Sequence, residues 1–536
     1  VDERLAQRLF VGVVLLAAAI LLLRTGDVPL IDPDEPRVAR TSVEMLRSGD
    51  PVVPLFDGQP RLVKPPLVHW LQVPLYATFG AREWTARLPA ALATLISLWL
   101  VGAVARRRFG DEGAVWAAAI FICFPLVVVP GRVGTYDALL SVHITAAVAL
   151  DLLAPDGWSA RRGGAFGALL GLGFLVKGPV ALLLPLLILL AGRTAAGLSL
   201  VPGWRVAATA AGACLAVIAP WGLALIGRIG IDGVTELLRR EALDRYVSGT
   251  DHVKPLWFYV PVLLVGAFPF VVPLLTGTLR AFWLGRKQAG PTAPYCAGAL
   301  VAGILFFSLG QGKLPNYLVP LMPLAAWLTT WELARDAGRE KPGALVSTLL
   351  AASLAAFGVI LPLAARRYPE VPHVELVGWL GGGLWIAAAL VALLGAMRLR
   401  PRLAYGAAVG AAAGFLLLLT TVLLPGMSTV RSSRGVALEI EASYPQVPVA
   451  VVDMKVPSLL FYLDRPVEEV DLRDLPARLD RSGDLVLVFD PDDLERLEPE
   501  VRERIIEVAA AGKYRICRRA GEAPAGGVLD GKQGSG

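Results

Sequence analysis

Apolar runs of spanning or near-spanning length recur from residue 9 to residue 424, and they constrain this chain more than any other feature. They lie near 9–23, 87–105, 114–130, 136–154, 164–176, 178–192, 206–227, 256–279, 292–309, 315–333, 344–364, 375–397 and 403–424, about 13 in all. Crossing the hydrocarbon core as a helix takes about 20 apolar residues. A helix suits such a run because it satisfies its own backbone polar groups in lipid. With 55% hydrophobic and 18% charged side chains over 536 residues, the chain carries more apolar surface than one water-soluble core can hide. Such cores stop growing at about 250–300 residues. The sequence therefore predicts an all-α polytopic membrane protein. The short runs on either side of Lys177-Gly178-Pro179 read as two tilted half-spans or one broken helix.

The loops carry an orientation signal. With Arg4 and Arg8 in the cytoplasm, alternate short loops also hold basic groups, as cytoplasmic loops do. These groups are Arg106–Arg108, Arg161 and Arg162, Arg193 and Arg205, Arg280 with Arg286 and Lys287, Arg335 with Arg339 and Lys341, and Arg398 with Arg400 and Arg402. Arg366 and Arg367 are the exception. This alternation puts loop 25–86, loop 228–255 and the tail from about 428 outside. The first run lacks a small-residue cleavage site before Arg24-Thr25-Gly26-Asp27 and reads as an uncleaved span. The net charge of +6 is scattered over many loops, which does not suit nucleic acid. The four cysteines form neither a disulfide framework nor a CxxC pattern.

Two domains are expected: a transmembrane domain over residues 1–427 and a small extracytoplasmic α/β domain over 428–536. In the tail, Val449–Val452 and Leu485–Phe489 read as buried strands, and Pro457–Leu463 and Pro491–Ala510 as helices. No Gly-rich phosphate loop is present, and Ala523 to Gly536 read as a frayed end.

Chemistry-bearing residues gather on the predicted outer side. Asp32-Pro33-Asp34-Glu35-Pro36-Arg37 brings three carboxylates beside a membrane. Pro36 suits a first helical turn, and Asp34 or Glu35 suits its N-terminal end. Val38, Ser42, Met45 and Leu46 then repeat at helical spacing, as on a helix lying at the membrane surface. Asp34 and Arg37, three apart, suit a phosphate-linked substrate; capping with a surface ion pair would use the same residues. Lys64, held extended before Pro65-Pro66, suits a phosphate head group or general snorkelling. Asp137 opens the fourth span, as a functional acid or as an N-cap. Lys177 lies between two apolar segments and has no capping role, so it reads as functional. Arg245 and His252 lie in loop 228–255, which reads as an interfacial helix and turn. Lys313 and Tyr317 in Gly312-Lys313-Leu314-Pro315-Asn316-Tyr317 either face a shared cavity or anchor at the interface. His69, His143, His252 and His373 lack zinc-ligand spacing.

The ordered set Asp34-Glu35-Pro36-Arg37, Lys64-Pro65-Pro66-Leu67, Trp84-Thr85-Ala86-Arg87-Leu88-Pro89, Tyr136-Asp137-Ala138, Leu175-Val176-Lys177-Gly178-Pro179 and Gly312–Tyr317 resembles bacterial lipid-linked sugar transferases. The nearest group is the lipid A aminoarabinose transferases, related to the protein O-mannosyltransferases. The resemblance spans about residues 9–330. It implies a GT-C glycosyltransferase of the inner membrane that takes a sugar from an undecaprenyl (polyprenyl) phosphate carrier on the periplasmic face. The acceptor would be lipid A or another glycolipid. By motif match Asp34 and Asp137 would be the catalytic acids, and Glu35 is carried beside Asp34. Arg37 and Lys64 would hold the carrier phosphate with Lys177 nearby; Lys313 and Tyr317 would line the cavity, and Arg245 and His252 are added as donor-binding candidates. The family usually carries a metal-binding Glu before Lys-Pro-Pro. Here that position is Val63, so no cofactor is assigned and a divalent metal would lack this ligand.

Three other readings remain. A flippase for a lipid-linked sugar would put charges at midplane and often shows repeated halves, and the sequence has neither. A protein O-glycosyltransferase would differ only in its acceptor. A membrane scaffold leaves Asp34, Arg37 and Lys64 unexplained.

Overall fold

The computed structural model describes residues 2–153, 157–200, 203–239, 253–338, 344–431, 433–481 and 483–520. Two compact units emerge: Val1–Gly26 with Thr41–Leu424, and Asp27–Arg40 with Pro425–Gly536.

The first unit is helical. Among the described residues, seven helices are long and apolar enough to cross a membrane, including Glu3–Leu22, Thr292–Leu309, Ala344–Ala365 and Val374–Met397. Leu256–Gly266 and Val271–Ala289 form a further apolar pair bent by 120°. The expected run 87–105 and the first part of 114–130 share one helical stretch, Glu83–Cys123, broken at Gly110, and the rest of 114–130 forms a short helix, Pro125–Gly131. The runs flanking Lys177 form two helices, Ala160–Lys177 and Val180–Ala195. Gly178 separates them with φ +73, a left-handed backbone that costs glycine little. Pro179 follows and suits the start of the next helix.

Helix Ala160–Lys177 packs on Trp204–Leu238 through small residues. A Cβ on Gly163 would meet the Val206 carbonyl oxygen at 2.6 Å, and one on Gly167 the Ala210 carbonyl oxygen at 1.9 Å. Gly171 would meet Val217 Cβ at 2.8 Å. This GxxxGxxxG row lets the two backbones approach, a mode suited to lipid, where apolar burial drives little helix association.

Loop 49–66 is not loose. It forms a short hairpin, β1 (Leu55–Phe56) with β2 (Gln59–Pro60). Its Val52 and Val53 pack with Trp70, Leu175, Trp221 and Leu225. The Trp221 indole donates to the Val52 carbonyl at 3.0 Å.

The helix Asp34–Ser48 differs from its expected place on the membrane surface. Thr41, Ser42, Val43, Glu44 and Met45 are all buried. Two of their polar members are used internally: Ser42 bonds His69 and Gln72, and the Glu44 carboxylate accepts from the backbone N–H groups of Asp57 and Gly58. Residues 240–252, where the interfacial helix and turn of loop 228–255 are expected, lie outside the described residues. The first residues of that loop extend helix Trp204–Leu238 past a break at Gly230.

The second unit holds a five-stranded sheet of order β4-β3-β5-β7-β6. The strands are β3 (Val449–Val452), β4 (Val467–Val470), β5 (Val486–Phe489), β6 (Ile505–Ala511) and β7 (Tyr514–Arg519). β3 runs parallel to β4 and β5, while β7 is antiparallel to β5 and β6. The centre strands β3 and β5 are buried throughout, as near-continuous apolar runs should be. Ala450, Val452, Leu487, Phe489 and Cys517 form the core with Leu475 and Leu494. The expected helix 491–510 is a correction. Only Pro491–Glu495 and Pro499–Arg502 are helical, and Ile505–Ala511 is a strand. β-branched Ile505, Ile506 and Val508 favour a strand, and the Gly512 turn returns the chain as β7 to pair with it. The expected frayed end at 523–536 lies outside the described residues.

Candidate functional site

In the helical unit, two helix ends bring an acid and a base together. Asp137 is the first residue of helix Asp137–Leu152, and Lys177 is the last of Ala160–Lys177. Each end suits its charge, since helix N-termini favour anions and C-termini favour cations. Lys177 Nζ donates to Asp137 Oδ1 at 2.5 Å, with the two side chains only 14% and 12% exposed. Asn316 Nδ2 donates to the other carboxylate oxygen at 3.4 Å. The Tyr317 ring lies against the ammonium, with Nζ 5.0 Å from its centroid. Tyr136 rather than Asp137 stands at the N-cap position of helix Asp137–Leu152. Both carboxylate oxygens of Asp137 are taken by side chains from distant parts of the chain.

A buried polar relay stands behind Asp137. Ser42 Oγ lies 2.7 Å from His69 Nδ1 and donates to Gln72 Oε1 at 2.6 Å. Gln72 Nε2 donates to the Ala86 carbonyl at 2.8 Å. The His69 ring meets Tyr136 edge-on at 6.4 Å. Gly134 passes so close to Ala86 that a Cβ would sit 2.7 Å from its carbonyl oxygen. The turn that delivers Tyr136 and Asp137 is thus seated on helix Leu67–Phe79 and the start of Glu83–Cys123.

Lys313 is buried, and its Nζ donates to the Lys254 carbonyl at 2.9 Å. An antiparallel bridge between Val253 and Gly312 closes the same loop. The chain thereby puts Tyr317 and Asn316 on Asp137 and Lys177, and Lys313 on the neighbouring backbone. Lys64 is half-buried in the turn before Leu67–Phe79. Arg245 and His252 lie outside the described residues.

In the second unit, the acidic segment divides its carboxylates. Asp32 accepts from the Ser458 backbone N–H at 3.0 Å and from its hydroxyl. Burial pushes the Asp32 carboxyl above the usual carboxylate range, and the Ser458 and Arg37 interactions pull against that rise. Glu35 is buried, and its Oε2 accepts from the Ile31 N–H at 2.8 Å. Asp34 is 68% exposed and lies 3.6 Å from Arg37 Nη1. Of the two adjacent catalytic candidates, Asp34 projects while Glu35 braces its own loop.

The family model for dolichyl-phosphate-mannose-protein mannosyltransferases matches residues 63–223. The undecaprenyl phosphate-α-4-amino-4-deoxy-L-arabinose arabinosyl transferase of Edwardsiella ictaluri is 31% identical over 391 residues, covering 69% of this chain and 68% of the relative. A second such transferase, from Sodalis glossinidius, is 31% identical over 403 residues and covers 70% of each chain. The chain belongs to this arabinosyl transferase family.

It is a multi-pass membrane glycosyltransferase of the GT-C type. The crystal structure of ArnT from Cupriavidus metallidurans bound to undecaprenyl phosphate has the same fold, with a TM-score of 0.74, 24% identity, and coverage of 96% of this chain and 98% of that one. Among the described residues no three His, Cys, Asp or Glu side chains gather as a metal cage. Sequence reasoning also missed Asn316. The signal was available, since an amide stands between two candidates in Lys313-Leu314-Pro315-Asn316-Tyr317. It missed Ser42 and Gln72 because nothing local marks a polar residue as a partner of His69.

Proposed function

We propose that this arabinosyl transferase relative moves 4-amino-4-deoxy-L-arabinose, or a closely similar sugar, from undecaprenyl phosphate to lipid A or another glycolipid. The observation that carries the reading is the Asp137–Lys177–Asn316–Tyr317 group in a chain of this family. The acceptor oxygen attacks the anomeric carbon, and the bond from that carbon to the phosphate oxygen breaks. Undecaprenyl phosphate leaves with the electron pair. Arg37, Lys64 and Lys177 are the cations assigned to its growing charge, a role in which fixed charges in a dry site act strongly. Asp34 takes the proton of an acceptor hydroxyl. With an acceptor phosphate that is already ionised, Asp34 orients rather than deprotonates. Arg245, His252 and Lys313 complete the proposed donor-binding set.

The test is transfer by the purified full-length protein from undecaprenyl phosphate-aminoarabinose to lipid A, read by mass spectrometry. Wild type is expected to transfer. Asp34→Asn is expected to fall by about 100-fold or more, the scale of general base catalysis. Translocation of donor without transfer would replace this reading with a flippase, and full activity in Asp34→Asn would remove the base.

We further propose an inner-membrane location with the N-terminus inside and the Pro425–Gly536 region outside. Support comes from the basic groups in alternate loops. A periplasm-dependent reporter fused after Pro425 should be active. A fusion active only in the cytoplasm overturns the orientation.

A further inference from the structure

We propose that the C-terminal α/β unit is the frame that positions the Asp34 segment, with Ser458 as its principal positioning residue. The proposal rests on the reading of Asp34 as a catalytic carboxylate.

The segment Asp27–Arg40 groups with Pro425–Gly536 rather than with the helices that flank it in sequence. Several of its attachments converge on one short stretch, helix Pro457–Leu463 and the residue that ends it, Asp464. The Leu30 N–H donates to Tyr462 Oη at 2.8 Å. Asp32 receives both the N–H and the hydroxyl of Ser458. Arg40 Nη1 donates to Asp464 Oδ1 at 2.7 Å and to the Leu460 carbonyl at 3.3 Å. Ser458 is itself held, with its Oγ 2.5 Å from Ser433 Oγ, and both serines are buried.

The spacing of these contacts gives them their effect. Asp32 is tied two residues before Asp34, and Arg40 is tied six residues after it. Between the ties, Glu35 braces the turn through Ile31. Asp34 then leaves this braced turn toward solvent. A carboxylate on a long outer loop would sample many positions. Clamping both flanks to one helix converts it into a fixed group, and reaction rates are sensitive to displacements of about 1 Å. Ser458 reaches the chemistry only through Asp32 and the backbone, so it is a positioning residue. The same contacts explain why a transferase carries a sheet domain with no phosphate loop. The domain supplies rigidity, as a scaffold does for a precise site.

The experiment compares wild type with Ser458→Ala, Asp32→Asn, the double variant, Tyr462→Phe and Asp34→Asn as full-length purified proteins. The probe is undecaprenyl phosphate-aminoarabinose with lipid A. Ser458→Ala is expected to lower kcat by about 10-fold to 100-fold with donor KM little changed. The double variant is expected to be no worse than the worse single, because both remove one link. Hydrogen exchange of residues 27–40 is expected to speed up in Ser458→Ala. Tyr462→Phe, which spares Asp32, is expected to show the same pattern more weakly and serves if Ser458→Ala does not fold. Unchanged kcat per folded molecule in both Ser458→Ala and Tyr462→Phe overturns the frame, as does unchanged exchange of the segment. An inactive Asp34→Asn beside fully active Ser458→Ala and Tyr462→Phe sinks this proposal alone, whereas a fully active Asp34→Asn sinks the catalytic reading beneath it.

Discussion

Asp137→Asn is expected to lower sugar transfer by about 100-fold or more, the scale on which removing a transition-state charge partner acts. The substitution keeps the shape of the side chain and removes its charge. Lys177 then loses the carboxylate that its ammonium touches, and Asn316 loses a charged acceptor. Breaking a buried pair on one side costs about 3–5 kcal/mol, because the remaining charge is uncompensated. Activity must therefore be read per folded molecule, with a second variant to separate the two losses. Asp137→Asn with Lys177→Gln removes both charges and should recover much of the thermal stability. It should not recover transfer. If the double variant regains activity along with stability, the pair is structural. If Asp137→Asn alone turns over like wild type, Asp137 has no part in the reaction.

Gly167→Leu is expected to abolish the folded protein, and Gly167→Ala to lower melting temperature and transfer together. A Cβ at Gly167 would stand 1.9 Å from the Ala210 carbonyl oxygen and 2.6 Å from its carbon. Both are backbone atoms of the neighbouring helix, so no side chain can swing aside. The helices must separate, and overpacking of this kind costs about 1–3 kcal/mol for a small group. Separation also moves the helix that ends in Lys177, so its ammonium leaves Asp137. The control is Gly164→Ala. No atom lies within 4 Å of a Cβ there, and alanine is the better helix former. Size-exclusion profile, melting temperature and transfer rate decide the matter. Gly167→Ala that melts and turns over like Gly164→Ala would show that this helix pair does not govern the site.

Local rules explain why some features were legible. Glu35 and Asp34 are both good residues for the start of a helix, and the sequence offers them as equals. A helical residue turns about 100° from its neighbour, so the two carboxylates face different ways, Glu35 inward and Asp34 outward. Which one faced inward depended on Ile31 and on the packing around it. Residues 505–511 show the same limit. Their alanine run, Ala509–Ala511, was compatible with a helix, and β7, a partner reached through one turn, decided for a strand.

Apolar length, taken alone, determined that this chain spans a membrane in many helices, because lipid leaves the backbone of such runs little alternative. Motif order also determined where acids and bases would stand, at the ends of helices where charge can be tolerated. Tertiary structure decided their partners. Lys177 is 40 residues from Asp137, and Asn316 is 179 residues away. The acidic segment at 27–40 joins a sheet domain more than 400 residues further on, through Tyr462 and Ser458. Hydrogen bonds and ion pairs act over a few ångströms, so sequence distance says nothing about them until the glycine-lined helix contacts and the sheet have brought those ångströms about.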